Sequence, residues 1–160
     1  MHIRQAETPQ DIAQISRLFR QYYAWLADEF GINMSYQGVE EELARLPGYY
    51  AAPQGRLLLL YDAEEAAGCG AFRPLDGKIC ELKRMYVKPE FRGKGLGRAI
   101  AVRLLEEARN SGYEIARLDT ATFLKEAPPL YLSLGFQVIG PYYRVPDEVR
   151  KWTIFMEKLL

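Results

Sequence analysis

The chain has 160 residues, with 21 basic and 21 acidic side chains and a net charge of zero at pH 7. This length favours a single domain over residues 1–160, and the balanced charge argues against nucleic acid as a partner. One histidine, His2, and two cysteines are too few for a disulfide framework or a metal site, and they disfavour Ser-His-Asp or Cys-His catalysis.

Apolar residues recur first at helical spacing, then in alternation, and then in a mixture of both. Thr8 is a candidate N-cap with Pro9 at the first helical position, and the long helix that follows should end near Gly31. Asp76–Gly77 is a strong hairpin signal between two strand-like runs. The predicted order is strand 2–6, helices 9–31 and 38–48, strands 56–62, 66–75 and 78–87, helix 96–110, strand 113–121, helix 127–134, and strands 136–145 and 151–159. This order predicts a mixed α/β domain around one sheet.

Membrane and export signals are missing from the sequence. No stretch approaches the roughly 20 apolar residues that span a bilayer. The first residues have no apolar core of the kind that signal peptides carry. We therefore expect a cytoplasmic protein with no membrane partner.

The segment RGKGLGRAI, residues 92–100, places three glycines where helix 96–110 begins. A helix N-terminus has unpaired N–H groups and a partial positive charge, so it binds phosphate when the backbone can approach closely. Glycine permits that approach because it has no side chain. Residues 83–98 also contain six basic residues and one acidic residue, which indicates an anion site or, alternatively, a solvated face. The glycines therefore predict a phosphate cradle.

Spacing distinguishes between the known phosphate-binding motifs. The Walker A and dinucleotide-binding patterns both fail because Arg98 stands where each needs another residue. The pattern R-x-x-G-x-G is satisfied by Arg92, Gly95 and Gly97, and it resembles motif A of the GCN5-related N-acetyltransferase (GNAT) superfamily. The segment APPLYLSLGF resembles that superfamily's second motif, A-x-x-x-Y-x-x-x-G-F, with Ala127, Tyr131, Gly135 and Phe136 in place.

The resemblance covers nearly the whole chain, and it implies a fold and a cofactor. The implied fold is an α/β GNAT fold, with a mixed, mostly antiparallel sheet of about seven strands flanked by about four helices. The implied cofactor is acetyl-CoA, with its pyrophosphate on the amides of residues 92–98 and its pantetheine arm along the preceding strand. The coenzyme-binding residues implied are Met85, Tyr86, Val87, Arg92, Gly93, Lys94, Gly95, Leu96, Gly97 and Arg98.

Two residues are candidates for catalysis. The resemblance implies that Tyr131 is the general acid that protonates the leaving thiolate, although a packing tyrosine is the alternative. Glu81 is the candidate base because GNAT members that acetylate histones carry a glutamate at a similar offset. Strand alternation predicts that Glu81 shares a face with Met85 and Val87. Its alternative role is a surface ion pair.

The predicted reaction is acetyl transfer from acetyl-CoA to a primary amine of a small molecule or amino-acid-like acceptor, by direct attack in a ternary complex. The candidate acceptor-binding residues are Tyr22, Trp25, Tyr36, Tyr143 and Arg144. Two alternatives stay open: acetylation of protein lysines or N-termini, and a non-catalytic acyl-CoA sensor. The sequence also leaves a homodimer open.

Overall fold

The helices and strands alternate much as the sequence predicts. The computed structural model describes residues 1–160. In chain order the elements are β1 (His2–Gln5), α1 (Pro9–Phe30), α2 (Val39–Ala44), β2 (Arg56–Asp62), β3 (Glu65–Asp76), β4 (Ile79–Val87), α3 (Leu96–Asn110), β5 (Ile115–Ala121), α4 (Ala127–Ser133), β6 (Gln137–Ile139), α5 (Asp147–Arg150) and β7 (Thr153–Leu159). No helix has both the length and the apolar character needed to cross a membrane.

The seven strands form one mixed sheet in the order β1-β2-β3-β4-β5-β7-β6. Every neighbouring pair is antiparallel except β4 and β5, which are parallel. Helices α3 and α4 pack on one face of the sheet through a large apolar cluster, and α1 and α2 pack on the other face. These faces are called the α3 face and the α1 face below. The predicted fold class is therefore confirmed.

The local signals for α1 are confirmed in detail. The Thr8 side chain accepts a hydrogen bond from the Asp11 amide, and Asp11 reaches back to the Thr8 amide, which forms a capping box. Gly31 ends the helix in the left-handed conformation, with φ of 65°. Both ends of the helix are therefore set by residues next to them in the sequence.

The last predicted strand pair differs from expectation. β6 covers only Gln137–Ile139, whereas residues 136–145 were predicted to be extended. Gly140 and Pro141 follow directly, and proline has no N–H to donate to a strand ladder. The chain then leaves the sheet and makes the single helical turn α5, which the sequence analysis did not predict.

A β-bulge interrupts β4. Cys69 of β3 lies opposite Tyr86, but Ala71 lies opposite Lys83, so β4 carries one extra residue between these pairs. Arg84 lies inside the bulge, where its φ is 57°, an unusual value for a residue other than glycine.

The bulge changes the face that each β4 side chain occupies. Lys83, before it, contacts residues of the α1 face, whereas Met85 and Val87, after it, pack against the α3-face cluster. Glu81 lies before the bulge and shares the α1 face with Lys83. The predicted shared face of Glu81, Met85 and Val87 is therefore wrong, because the extra residue inverts the alternation.

Candidate functional site

A gap opens in the middle of the sheet between β4 and β5. The two strands pair only where Ile79–Glu81 meets Ile115–Arg117. Both strands continue well beyond this stretch, to Val87 and Ala121, without further pairing to each other. They therefore diverge, and the unpaired part of β4 presents a free backbone edge to the gap.

A cleft of about 660 Å³ occupies this gap. Its walls include Ile100 and Leu118, which belong to the α3-face cluster, and Lys83 and Asp119, which lie on the α1 face. The cleft thus connects the two faces of the sheet. Ligands bound on opposite faces would meet in it.

Most of the predicted site residues line this one cleft. Those that do are Tyr22, Trp25, Tyr36, Met85, Tyr86, Val87, Arg92, Gly93, Gly95, Leu96, Gly97, Arg98 and Tyr131. Those that do not are Glu81, Lys94, Tyr143 and Arg144. The last two instead line a separate pocket of about 180 Å³ beside α5.

The glycine loop presents a row of unpaired amides to the cleft. None of the six successive N–H groups from Gly93 to Arg98 donates a hydrogen bond within the protein, and pairing in α3 resumes when the Ala99 amide donates to the Gly95 carbonyl. Gly93 and Gly95 have φ values of 78° and 75°, which other residues rarely adopt. This arrangement fits an anion such as a pyrophosphate.

The basic side chains of the loop have different partners. The Arg92 Nε donates to the Val87 carbonyl at 3.0 Å, and its guanidinium lies 4.1 Å from the centre of the Trp25 ring. Lys94 forms an ion pair with Asp62, at 2.8 Å, and points away from the cleft. Arg92 thereby joins α1 to the glycine loop, which the motif alone does not reveal.

Tyr131 lies on α4, where its ring is buried and packs edge-on against Phe136. Its hydroxyl donates to the Met85 Sδ at 3.5 Å, on the part of β4 that no longer pairs with β5. Burial raises the pKa of this phenol, with smaller contributions from Tyr22 and Asp119. The hydroxyl therefore keeps its proton at neutral pH and is available to donate it.

Glu81 has a different environment from the one predicted. Its side chain is only 1% exposed and forms an ion pair with Arg73, at 3.0 Å. The Tyr142 hydroxyl donates to the other carboxylate oxygen at 2.7 Å. These contacts tie β4 to β3 through Arg73 and to the segment after β6 through Tyr142. Glu81 is therefore enclosed, and it does not line the cleft.

Asp119 is the carboxylate that sequence reasoning missed. It lies on β5, its side chain is 15% exposed, and one of its oxygens is 3.4 Å from the Lys83 Nζ. Of the acidic residues on the cleft lining, Asp119 comes from the sheet, whereas Glu126 lies in the exposed turn before α4. The available signal was an acidic residue near the carboxyl end of a strand, where ligand sites often form in α/β sheets.

The α1 side of the cleft is rich in aromatic residues. Tyr22 and Trp25 from α1 stack near one another, with ring centres 6.4 Å apart, and Tyr36 follows in the next loop. Burial raises the pKa of Tyr22 to about 12. Tyr143 lies outside the cleft lining, and burial together with the nearby Asp119 carboxylate raises the pKa of its buried hydroxyl.

Comparison with known proteins identifies the family. The family described as the acetyltransferase (GNAT) family matches residues 17–136. This chain belongs to that family. A GNAT relative in Schizosaccharomyces pombe, named an uncharacterized N-acetyltransferase, is 36% identical over 146 residues, which are 90% of this chain and 87% of the relative. The resemblance inferred from the two motifs is confirmed, and the protein is an N-acetyltransferase.

Solved GNAT structures match the whole architecture. An acetyltransferase from Streptococcus agalactiae is 25% identical with a TM-score of 0.78, and the match covers 99% of this chain and 98% of that chain. The yncA protein of Salmonella typhimurium, solved with its cofactor acetyl-CoA, is 25% identical with a TM-score of 0.68, covering 99% and 93% of the two chains. The open seven-stranded sheet is therefore the GNAT sheet.

Proposed function

We propose that this GNAT protein transfers an acetyl group from acetyl-CoA to the primary amine of a small molecule, by direct attack in a ternary complex. The observation that carries the proposal is the cleft through the sheet. On its α3 face it has the unpaired amides of residues 93–98 and the Tyr131 hydroxyl, and on its α1 face it has Asp119. Acetyl-CoA supplies an acetyl group as a thioester, whose C–S bond is exchanged for a C–N bond as the thiol leaves.

Residues 93–98 would hold the pyrophosphate of acetyl-CoA, since their amides are unpaired and the glycines leave the backbone accessible. The free edge of β4 at Met85 and Val87 would pair with the pantetheine amides as an added strand. Both features lie along one wall of the cleft. They orient the thioester end of the donor toward the gap and Tyr131.

Tyr131 acts as the general acid in this proposal, because its protonated hydroxyl lies in the gap where β4 and β5 diverge. Asp119 holds the incoming ammonium and accepts its proton, the role that the sequence suggested for Glu81. The support is that Asp119 lines the cleft, whereas Glu81 is enclosed by Arg73 and Tyr142.

The glycine loop gives a direct test of donor binding. Gly95→Ala should raise the Kd for CoA about tenfold, because a side chain at positive φ distorts the amide row, and the loss of one or two amide contacts is worth about that factor. Isothermal titration calorimetry measures the change. The matched control is Gly77→Ala, because Gly77 also has positive φ, 52°, but lies in the β3–β4 turn.

Both glycine variants should lose similar stability, so that a lower melting temperature does not separate them. Only Gly95→Ala should lose affinity for CoA. Equal affinity of the two variants would contradict the assignment of the loop to the pyrophosphate.

Turnover distinguishes the small-molecule reaction from its two alternatives. We expect release of the CoA thiol, detected with a thiol reagent, when acetyl-CoA is mixed with small primary amines. Acetylation of peptides with no turnover of any small amine would instead support protein acetylation. CoA binding without turnover of amines or peptides would support a sensor.

A further inference from the structure

We infer that the acceptor is a primary monoamine on an aromatic body without a carboxylate, such as an arylalkylamine. This inference rests on the proposed function, because it concerns the acceptor half of the same cleft. It is carried by two observations: a continuous set of aromatic rings, and buried cations that are all paired, with Asp119 as the carboxylate of the sheet on the cleft lining.

Four rings line the acceptor half in contact with one another. Phe30, at the end of α1, lies between Trp25 and Phe123, with ring centres 5.3 and 4.7 Å away. Phe123 in turn contacts Trp152, just before β7, at 5.1 Å. All four residues line the cleft, and Phe30 remains 36% exposed.

These contacts join three separate segments: the end of α1, the loop after β5 and the start of β7. Partly exposed rings that converge on one cleft offer flat apolar surface for a ligand of similar shape. An aromatic body would stack on them or meet their edges. An extended polyamine would place a second ammonium against these rings, whereas an aromatic body would bury apolar surface on them.

The buried charges of the acceptor half form pairs. Lys83 lies 3.4 Å from Asp119, and the Arg84 Nε donates to Glu42 at 2.8 Å. Gln37 also accepts hydrogen bonds from both cations. Neither cation is therefore available to receive the carboxylate of an amino acid.

The other cations on the cleft lining are not among these buried pairs. Arg92 and Arg98 belong to the glycine loop, and Lys125 lies in the same loop as Phe123 but is exposed to solvent. Arg144, which would have suited a carboxylate, lies outside the cleft. Asp119 can accept from both Lys83 and a substrate ammonium, because a carboxylate has about four lone-pair sites.

The test uses the intact protein with saturating acetyl-CoA and four acceptors: 2-phenylethylamine, phenylalanine, n-butylamine and spermidine. Phenylalanine differs from 2-phenylethylamine only by its carboxylate, and n-butylamine lacks the ring. We expect kcat/KM for 2-phenylethylamine to exceed that for each of the others by about tenfold or more.

Phe123→Ala should raise the KM for 2-phenylethylamine about tenfold and leave the KM for acetyl-CoA unchanged. Tyr49→Ala is the matched control, because the Tyr49 ring is 72% exposed and lies outside the cleft. Preference for phenylalanine, spermidine or n-butylamine would overturn this inference and leave the proposed acetyl transfer intact. CoA binding without turnover of any amine would instead overturn the proposed function.

Discussion

Replacing Tyr131 with phenylalanine should lower kcat by about 10²–10³-fold, which lies within the usual contribution of a positioned general acid. The KM for acetyl-CoA should stay within a few-fold of the wild-type value, because the ring and its contact with Phe136 remain in place. Only the proton donor near the Met85 sulfur is removed. Steady-state kinetics with saturating amine measures both constants.

Tyr113→Phe is the matched control for this substitution. Tyr113 is also buried, and its hydroxyl donates to the Gln54 carbonyl at 2.7 Å, outside the cleft. It should lose some stability and keep its kcat. A Tyr131→Phe enzyme with wild-type kcat would refute the role of the hydroxyl.

The pH dependence follows from the raised pKa of Tyr131. Burial keeps the phenol protonated above the usual tyrosine pKa of about 10, so the donor form persists throughout the neutral and mildly alkaline range. We expect no loss of wild-type kcat up to about pH 10 from ionisation of this group. A fall in kcat centred near pH 8 would therefore report the ionisation of a group other than Tyr131.

Replacing Asp119 with asparagine should lower kcat/KM for the amine by about 10²-fold at pH 7. Asparagine keeps the size of the side chain and can still accept from Lys83, but it takes up no proton. The defect should shrink as the pH approaches the amine's own pKa, about 10, where the neutral amine is already abundant. A purely structural role of Asp119 would give a defect independent of pH.

Glu81→Gln serves as the comparison, because the sequence pointed to Glu81 as the base. Replacing its carboxylate leaves the buried Lys83 and the partly exposed Arg73 with less compensating charge, which is destabilising. We therefore expect a lower melting temperature for Glu81→Gln and a smaller change in kcat/KM than for Asp119→Asn. A larger loss of kcat/KM in Glu81→Gln than in Asp119→Asn would instead identify Glu81 as the base.

The parts of the site that the sequence predicts are those that depend on neighbours along the chain. The row of amides needs only glycines at fixed spacing before a helix, and the start of α1 needs only Thr8 as N-cap followed by Pro9. Tyr131 follows from a motif within one short helix. In each case the physical cause spans a few residues, so the pattern is visible without a structure.

The bulge at Arg84 lacked such a local signal. A positive φ at arginine is unfavourable by about 1–2 kcal/mol. Here it is accompanied by an ion pair with Glu42, a hydrogen bond to Gln37 and a contact with the Tyr23 ring. These partners are more than forty residues away in sequence, so alternation alone assigned Glu81 to the wrong face.

Asp119 was missed for a related reason. Its exposure to the cleft depends on the point at which β4 and β5 stop pairing, after Glu81 and Arg117. That point is a property of the assembled sheet. The predicted strand 136–145 also differs from the structure. The strand ends at Ile139, shortly before Pro141, and Tyr143 and Arg144 then line another pocket.

The opening between β4 and β5 has a consequence for the kinetic order of the reaction. The glycine loop and Tyr131 approach the opening from one face of the sheet, and the aromatic half of the cleft reaches it from the other. Donor and acceptor can therefore be bound at the same time, because each reaches the opening from its own face. Double-reciprocal plots should then intersect rather than run parallel.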